Sequence, residues 1–372
     1  MEPRDLNRMF DALAPTPEQE QAGLDRLLRT ERKVRPMKKL KKLTVIGIAA
    51  ALMVISCAAA VVTGLDQRLI DYFGGGKQVE ELLLPGAMSV DITAEDNGAT
   101  LHATQVLRDR YSIAVLADFT VPEGTVLDVE RFAGFSLDDE GILFLNSDGV
   151  PVNDNIADSY VFTCGWRLLE DGKPEDNHLS MLFYLTIPEG LRENLDVTAL
   201  RVSTMNMAFI NNGKVEWPYT GNWPMVVPLP QSYQGYTQQF DQRVGELDGS
   251  AIRLKEVYLS PITLKVTLER EEEIHASLSP EEREQQWTRW AFALREEQSD
   301  GVSRAVLTTR DGCKIPLEFR DGSADGVNTN QYNYVLRLTQ ATDVEELQGG
   351  ILTLRVGDGS VDIPLDNLVP AE

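Results

Sequence analysis

Three histidines, three cysteines and 58 carboxylates are the groups in this 372-residue chain most able to do chemistry. His102 sits within an alternating apolar pattern, and His178 and His275 sit in polar turns, so each is expected to be solvated rather than catalytic. The patterns Gly-x-Ser-x-Gly, His-Glu-x-x-His, Cys-x-x-Cys and Ser-x-x-Lys are absent, as are phosphate-cradling glycine loops. Asp148, Asn153, Asp154, Asn155 and Asp158 offer the hard oxygen donors that calcium takes, but without EF-hand spacing, and a solvated loop is the expectation. Trp217, Tyr219 and Trp223, with Pro218 and Pro224, could stack on a sugar; the commoner use of such a cluster is to cap a β core. Cys164 and Cys313 lie 149 positions apart and are expected to be unpaired thiols. No catalytic residue, cofactor or metal is assigned, and the chain is not expected to be an enzyme.

The distribution of charge says more. The net charge is −23, which argues against a general nucleic-acid binder, because phosphate affinity comes from clustered Lys and Arg. Residues 1–42 carry a net +4, residues 43–65 carry no Asp, Glu, Lys or Arg, and residues 66–372 carry −27. Such asymmetry implies that the two ends face different surroundings.

The uncharged run from Leu43 to Leu65 would span about 34 Å as a helix, enough to cross a hydrocarbon core of about 30 Å. Lys38, Lys39, Lys41 and Lys42 stand immediately before it, and Asp66, Arg68 and Asp71 follow. The positive-inside rule then expects a cytoplasmic N-terminus, a single span anchored in the lipid bilayer, and an extracytoplasmic body. Cys57 and Ala58–Ala60 leave open an alternative, in which the chain is processed as a lipoprotein or secretory signal. Before the span, Leu6, Met9, Phe10 and Leu13 form one amphipathic stripe, and Leu24, Leu27 and Leu28 form a second after Pro15 and Pro17. So short a segment cannot bury these side chains by itself, so they are expected to lie on the membrane surface or in a partner's groove.

Beyond the span, the helix is expected to continue through Leu69, Ile70, Tyr72 and Phe73 until Gly74-Gly75-Gly76 makes a flexible break. Asn97-Gly98 between Val90/Ile92 and Leu101/Ala103 predicts a hairpin with a type I′ turn. Residues 111–119 alternate but are apolar on both faces, which predicts a central strand. Further strands are expected at 141–145, 159–169, 179–187, 197–207 and 225–229. In the second unit they are expected near 252–254, 262–268, 305–309, 315–319, 332–338, 351–356 and 361–364. Ser279-Pro280-Glu281-Glu282 predicts one capped helix, short and charged, lying across a sandwich edge. The expected architecture is mainly β: a cytoplasmic segment (1–42), a transmembrane helix (43–65), a juxtamembrane linker (66–88), and two β-sandwich domains (89–230 and 231–372).

Phe10-Asp11-Ala12-Leu13 with Pro15 and Pro17, the basic stretch 36–42, the Ala-rich span, and Val62-Thr63-Gly64-Leu65-Asp66-Gln67-Arg68 resemble segments of clostridial-type Gram-positive single-pass membrane proteins. Asp96-Asn97-Gly98-Ala99-Thr100-Leu101 and Ser260-Pro261-Ile262 carry the same resemblance. It implies an anti-sigma-factor-like extracytoplasmic domain of unknown function, followed by an immunoglobulin-like domain. It further implies a partner, an extracytoplasmic-function sigma factor, held by Leu6, Met9, Phe10, Leu13, Leu24, Leu27 and Leu28. Residues 1–42 lack His and Cys, so the zinc-type anti-sigma pattern is not present. Two readings follow: a transmembrane regulator that senses the envelope, or a membrane-tethered protein whose β domains bind an envelope ligand or protein.

Overall fold

The structure, a computed structural model, describes residues 64–152, 164–169, 176–187, 191, 197–271, 278–295, 302–324 and 330–371. It is mainly β, in two lobes with separate cores. The candidate partner-binding residues Leu6 to Leu28, the lysines 38–42 and Leu43 lie outside the described residues. So does the expected span, apart from Gly64 and Leu65. Among the described residues no helix is long and apolar enough to cross a membrane.

Two short helices open the described chain: α1 (Gln67–Tyr72) and α2 (Lys77–Leu83). The expected continuation of the span into α1 does not occur. Gly64 has φ +147°, and Asp66 is extended and caps a new helix, accepting a hydrogen bond from Arg68 N at 2.9 Å. Nor is Gly74-Gly75-Gly76 a loose break. All three have positive φ, the Gly74 and Gly75 amides bond back to Asp71 and Ile70, and a Cβ on Gly74 would come within 2.7 Å of Gln340.

The first lobe has two antiparallel sheets. One is ordered β1 (Ala87–Asp96), β2 (Ala99–Arg108), β3 (Ser112–Thr120), β6 (His178–Thr186), β5 (Cys164–Leu168). The other is ordered β4 (Phe132–Leu145), β7 (Ala199–Asn211), β8 (Lys214–Pro228). The Asn97-Gly98 turn is as expected, with both residues at positive φ. The two sheets share one core, in which Ile113, Val115, Phe119, Met181 and Phe183 meet Ile142, Phe144, Val202 and Met225. Strand β8 runs much further than residues 225–229. It tolerates Pro218 and Pro224 because it pairs in its sheet with β7 alone, and an edge strand can spare an amide.

The second lobe departs from the expected pair of sheets. One continuous antiparallel sheet is ordered β16 (Gly359–Leu365), β15 (Gly350–Val356), β12 (Val302–Thr308), β13 (Lys314–Ala324), β14 (Gln331–Leu338), β11 (Thr263–Arg270), β10 (Ser250–Leu259), β9 (Tyr236–Leu247), β17 (Val369–Pro370). It folds over until β15 and β16 lie against β9, helped by register shifts in β10, β12 and β13. Gly245 makes that approach possible, since a Cβ there would meet the Val356 carbonyl at 2.8 Å. The capping box of α3 (Pro280–Ala291) forms as expected. The helix does more than lie across an edge, because Trp290 is fully buried and stacks on Tyr332, 5.1 Å between centroids. A four-residue helix α4 (Val344–Leu347) precedes β15.

Candidate functional site

Strands β3 and β6 are apolar on both faces, and the second face leads to the site. Their odd residues fill the first-lobe core, whereas Ala114, Leu116, Leu182 and Tyr184 point the other way. Against that outer face pack Leu65, Leu69, Ile70, Phe73, Val79 and Leu83, and from the second lobe Ile262 and Ala341. The segment from Leu65 to Leu83 is thus wedged between the lobes. Leu65, expected as the last residue of the span, is 9% exposed and packs in this cluster.

Polar groups fix the wedge on the first lobe. Gln105 holds the entering backbone from both sides, accepting from Asp66 N at 2.8 Å and donating to Gly64 O at 3.1 Å. Arg68 bridges Asp66 (2.8 Å) and Asp118 (2.6 Å) and donates to Ser180, whose hydroxyl also donates to Asp118 at 2.8 Å. Hydrogen bonds from Arg68 lower the Asp66 pKa. Partial burial works against ionisation of Asp118, but His178, Arg68 and Ser180 together hold it well below the usual carboxylate range. His178 is therefore not simply solvated; its Nε2 lies 3.4 Å from Asp118.

The second lobe grips the wedge at the C-terminal end of α1. Ala341 N donates to Phe73 O at 2.8 Å, and Arg337 stacks over the Tyr72 ring at 4.2 Å. Arg320 lies over Tyr184 at 4.8 Å and donates to Tyr72 Oη at 3.3 Å. Glu318 accepts from Arg320 and Arg337, each at 2.6 Å, and lies 3.6 Å from Arg167 of the first lobe. Burial opposes ionisation of Glu318, yet these cations lower its pKa.

At the other end of the joint the lobes lock directly. Asp109 is fully buried, and its Oδ1 accepts from Tyr111 N (2.8 Å) and Ser112 N (2.7 Å). Its Oδ2 accepts from Ser260 Oγ of the second lobe at 2.7 Å. Burial pushes the Asp109 carboxyl up, and these donors oppose the shift. Ser112 also bonds Tyr184 (2.7 Å) and Thr263 (3.1 Å). Burial raises Tyr184 to about 12, so it stays a neutral phenol. Tyr111 meets Tyr258 edge-on at 4.6 Å, and Asp109 bridges to Tyr233 in the crossover between lobes.

The other sequence candidates do not converge on this joint. His102 pairs with Asp91 at 2.8 Å on the outside of β2. Trp217, Tyr219 and Trp223 form no platform. Trp223 is buried, with its indole N–H donating to Ala99 O at 3.1 Å; Tyr219 is partly buried, and Trp217 is 47% exposed. Cys164 and Cys313 are both free, and burial raises the Cys164 thiol to about 11. Asn153, Asp154, Asn155, Asp158, His275 and Cys57 lie outside the described residues, and among the described residues no cluster of His, Cys, Asp and Glu could hold a metal. The joint itself was missed, although Tyr111–Phe119 and Leu179–Ile187, apolar on both sides, carried its signal: a strand with two dry faces needs a cover on each.

No family model matches the chain, and no curated protein matches it. Among solved structures it is similar to a conserved domain protein from Bacillus anthracis, at 13% identity and TM-score 0.46, covering 80% of this chain and 88% of that one. It is also similar to the N-terminal periplasmic domain of ScsB from Proteus mirabilis, at 8% identity and TM-score 0.18, covering 75% and 96%. Likeness of this degree carries no conclusion about function.

Proposed function

We propose that the chain is a single-pass membrane regulator of anti-sigma-factor type, whose extracytoplasmic lobes, immunoglobulin-like in kind, set the state of the chain entering from the membrane. One observation carries this reading: residues 65–83 bury six apolar side chains between the lobes instead of forming a loose tether. A plain anchor needs only length and solubility. A regulator needs a segment whose placement depends on the body, and this segment contacts both lobes at once. On the cytoplasmic side, Leu6, Met9, Phe10, Leu13, Leu24, Leu27 and Leu28 would occupy a sigma factor's polymerase-facing surface, so sequestration is mass action.

The test uses full-length protein in membranes. Wild type should co-precipitate a sigma factor, Phe10→Asp should lose it, and Phe73→Ala in the joint should change the amount retained. Failure of the wild type to retain any sigma factor defeats the reading. That result favours a tethered envelope-binding protein, for which the exposed Ile210, Val215 and Trp217 on the β7–β8 arm are the supporting observation.

A further inference from the structure

The body is strongly acidic, yet where the exposed Arg167 reaches the joint positive charge is in surplus. Arg167 on β5, Arg320 on β13 and Arg337 on β14 gather on one carboxylate, Glu318. Among the described residues it is the one acid ion-paired with any of them. Three guanidiniums against one carboxylate leave two positive charges, and arginine cannot shed its proton to relieve them. Arg337 and Arg320 are largely buried, at 6% and 14% side-chain exposure, so water screens their charge poorly, while Arg167 is 48% exposed and open to a ligand. The donors are also incompletely used. Arg320 Nε has no hydrogen-bond partner, and Arg167 makes only the 3.6 Å approach to Glu318 Oε2, the oxygen that Arg320 also binds.

We propose that this cluster is an oxyanion site, taking a doubly charged phosphate group between Arg167 of the first lobe and Arg320 of the second. The charge matches the surplus, and a tetrahedral oxyanion accepts forked N–H donors from two guanidiniums at once. Because the two arginines belong to different lobes, the anion would staple the joint beside Tyr72. The binding claim rests on this geometry alone and does not need the sigma-factor reading.

Full-length protein in detergent is titrated with inorganic phosphate at constant ionic strength, with chloride as the matched control, and the thermal midpoint is followed. The expected result is a saturable rise of about 2–4 °C. Arg167→Gln, an exposed change that leaves the folded body intact, should weaken the apparent affinity about tenfold, and Arg167→Lys should restore part of it. A rise that does not saturate, or that is unchanged in Arg167→Gln, reports general exclusion of salt from the surface and overturns the site. Mixed micelles containing phosphatidic acid locate the source. Competition with inorganic phosphate assigns the group to a lipid headgroup, and its absence assigns a free phosphate; either outcome upholds the site if the saturable shift is present.

Discussion

The two ends of the inter-lobe joint solve the same problem with opposite chemistry. At the Asp109 end a single carboxylate is fully buried and met by neutral donors from its own turn and from Ser260, with tyrosine rings excluding water. At the Glu318 end the groups are charged, partly wet and more numerous than one acid can balance. A dry contact whose carboxylate is hydrogen-bonded on both oxygens is costly to break and holds one geometry. A half-exposed cluster is weaker per contact and responds to ions. The difference predicts that added salt loosens the Glu318 end of the joint more than the Asp109 end.

Phe73→Ala should give the largest effect, since its ring is fully buried where both lobes meet: about 3–5 kcal/mol lost in chemical denaturation, together with faster proteolysis of residues 64–86. Asp109→Ala comes next. It strands the amides of Tyr111 and Ser112 and the Ser260 hydroxyl, for about 3 kcal/mol, and should split one calorimetric transition into two as the lobes unfold separately. A single unsplit transition would contradict the locking role.

Acid sharpens the comparison further. The folded pKa values of Asp118 and Glu318 are lowered, so their contribution is intact above the ordinary carboxylate value of about 4 and is lost as pH falls from there toward the lowered values. Asp109 has the opposite sign: its folded pKa is raised, so its contribution is full below about 4 and declines as pH climbs to the raised value. Asp118→Asn should therefore flatten the acid limb of a stability–pH profile, and Asp109→Asn its rise-side decline. Trp217→Ser, an exposed change on the β8 edge, should be smallest, within about 0.5 kcal/mol by denaturant midpoint.

Much of the β architecture was legible because it is written locally. Period-2 alternation placed β2, β3, β10 and β11, an apolar run between turn-rich stretches placed β6, Asn97-Gly98 placed a turn, and Ser279 with Glu282 placed the cap of α3. The length of β8 was not legible, because Pro218 and Pro224 look like breakers unless the strand is known to lie at an edge. Nor was β9, whose polar face over residues 236–247 hides the alternation, or the single folded-over sheet of the second lobe, which depends on bulges and on one close approach at Gly245. Leu65 reads equally well as lipid-facing or as core, because its apolar character is the same for a bilayer as for a protein interior.

What the sequence determined by itself is whatever short-range stereochemistry and hydrophobic period decide: the strand-rich class, the tight turns, the helix cap, and the separation of a cationic front from an anionic body. What only the tertiary structure decided is which apolar faces meet. Leu65, Leu69 and Phe73 reach Ile262 across nearly two hundred residues of chain and Ala341 across some 270, and Asp109 reaches Ser260 across 151. Contacts at that separation leave no local periodicity, because burial rewards any dry partner alike and only the assembled lobes specify which one is there.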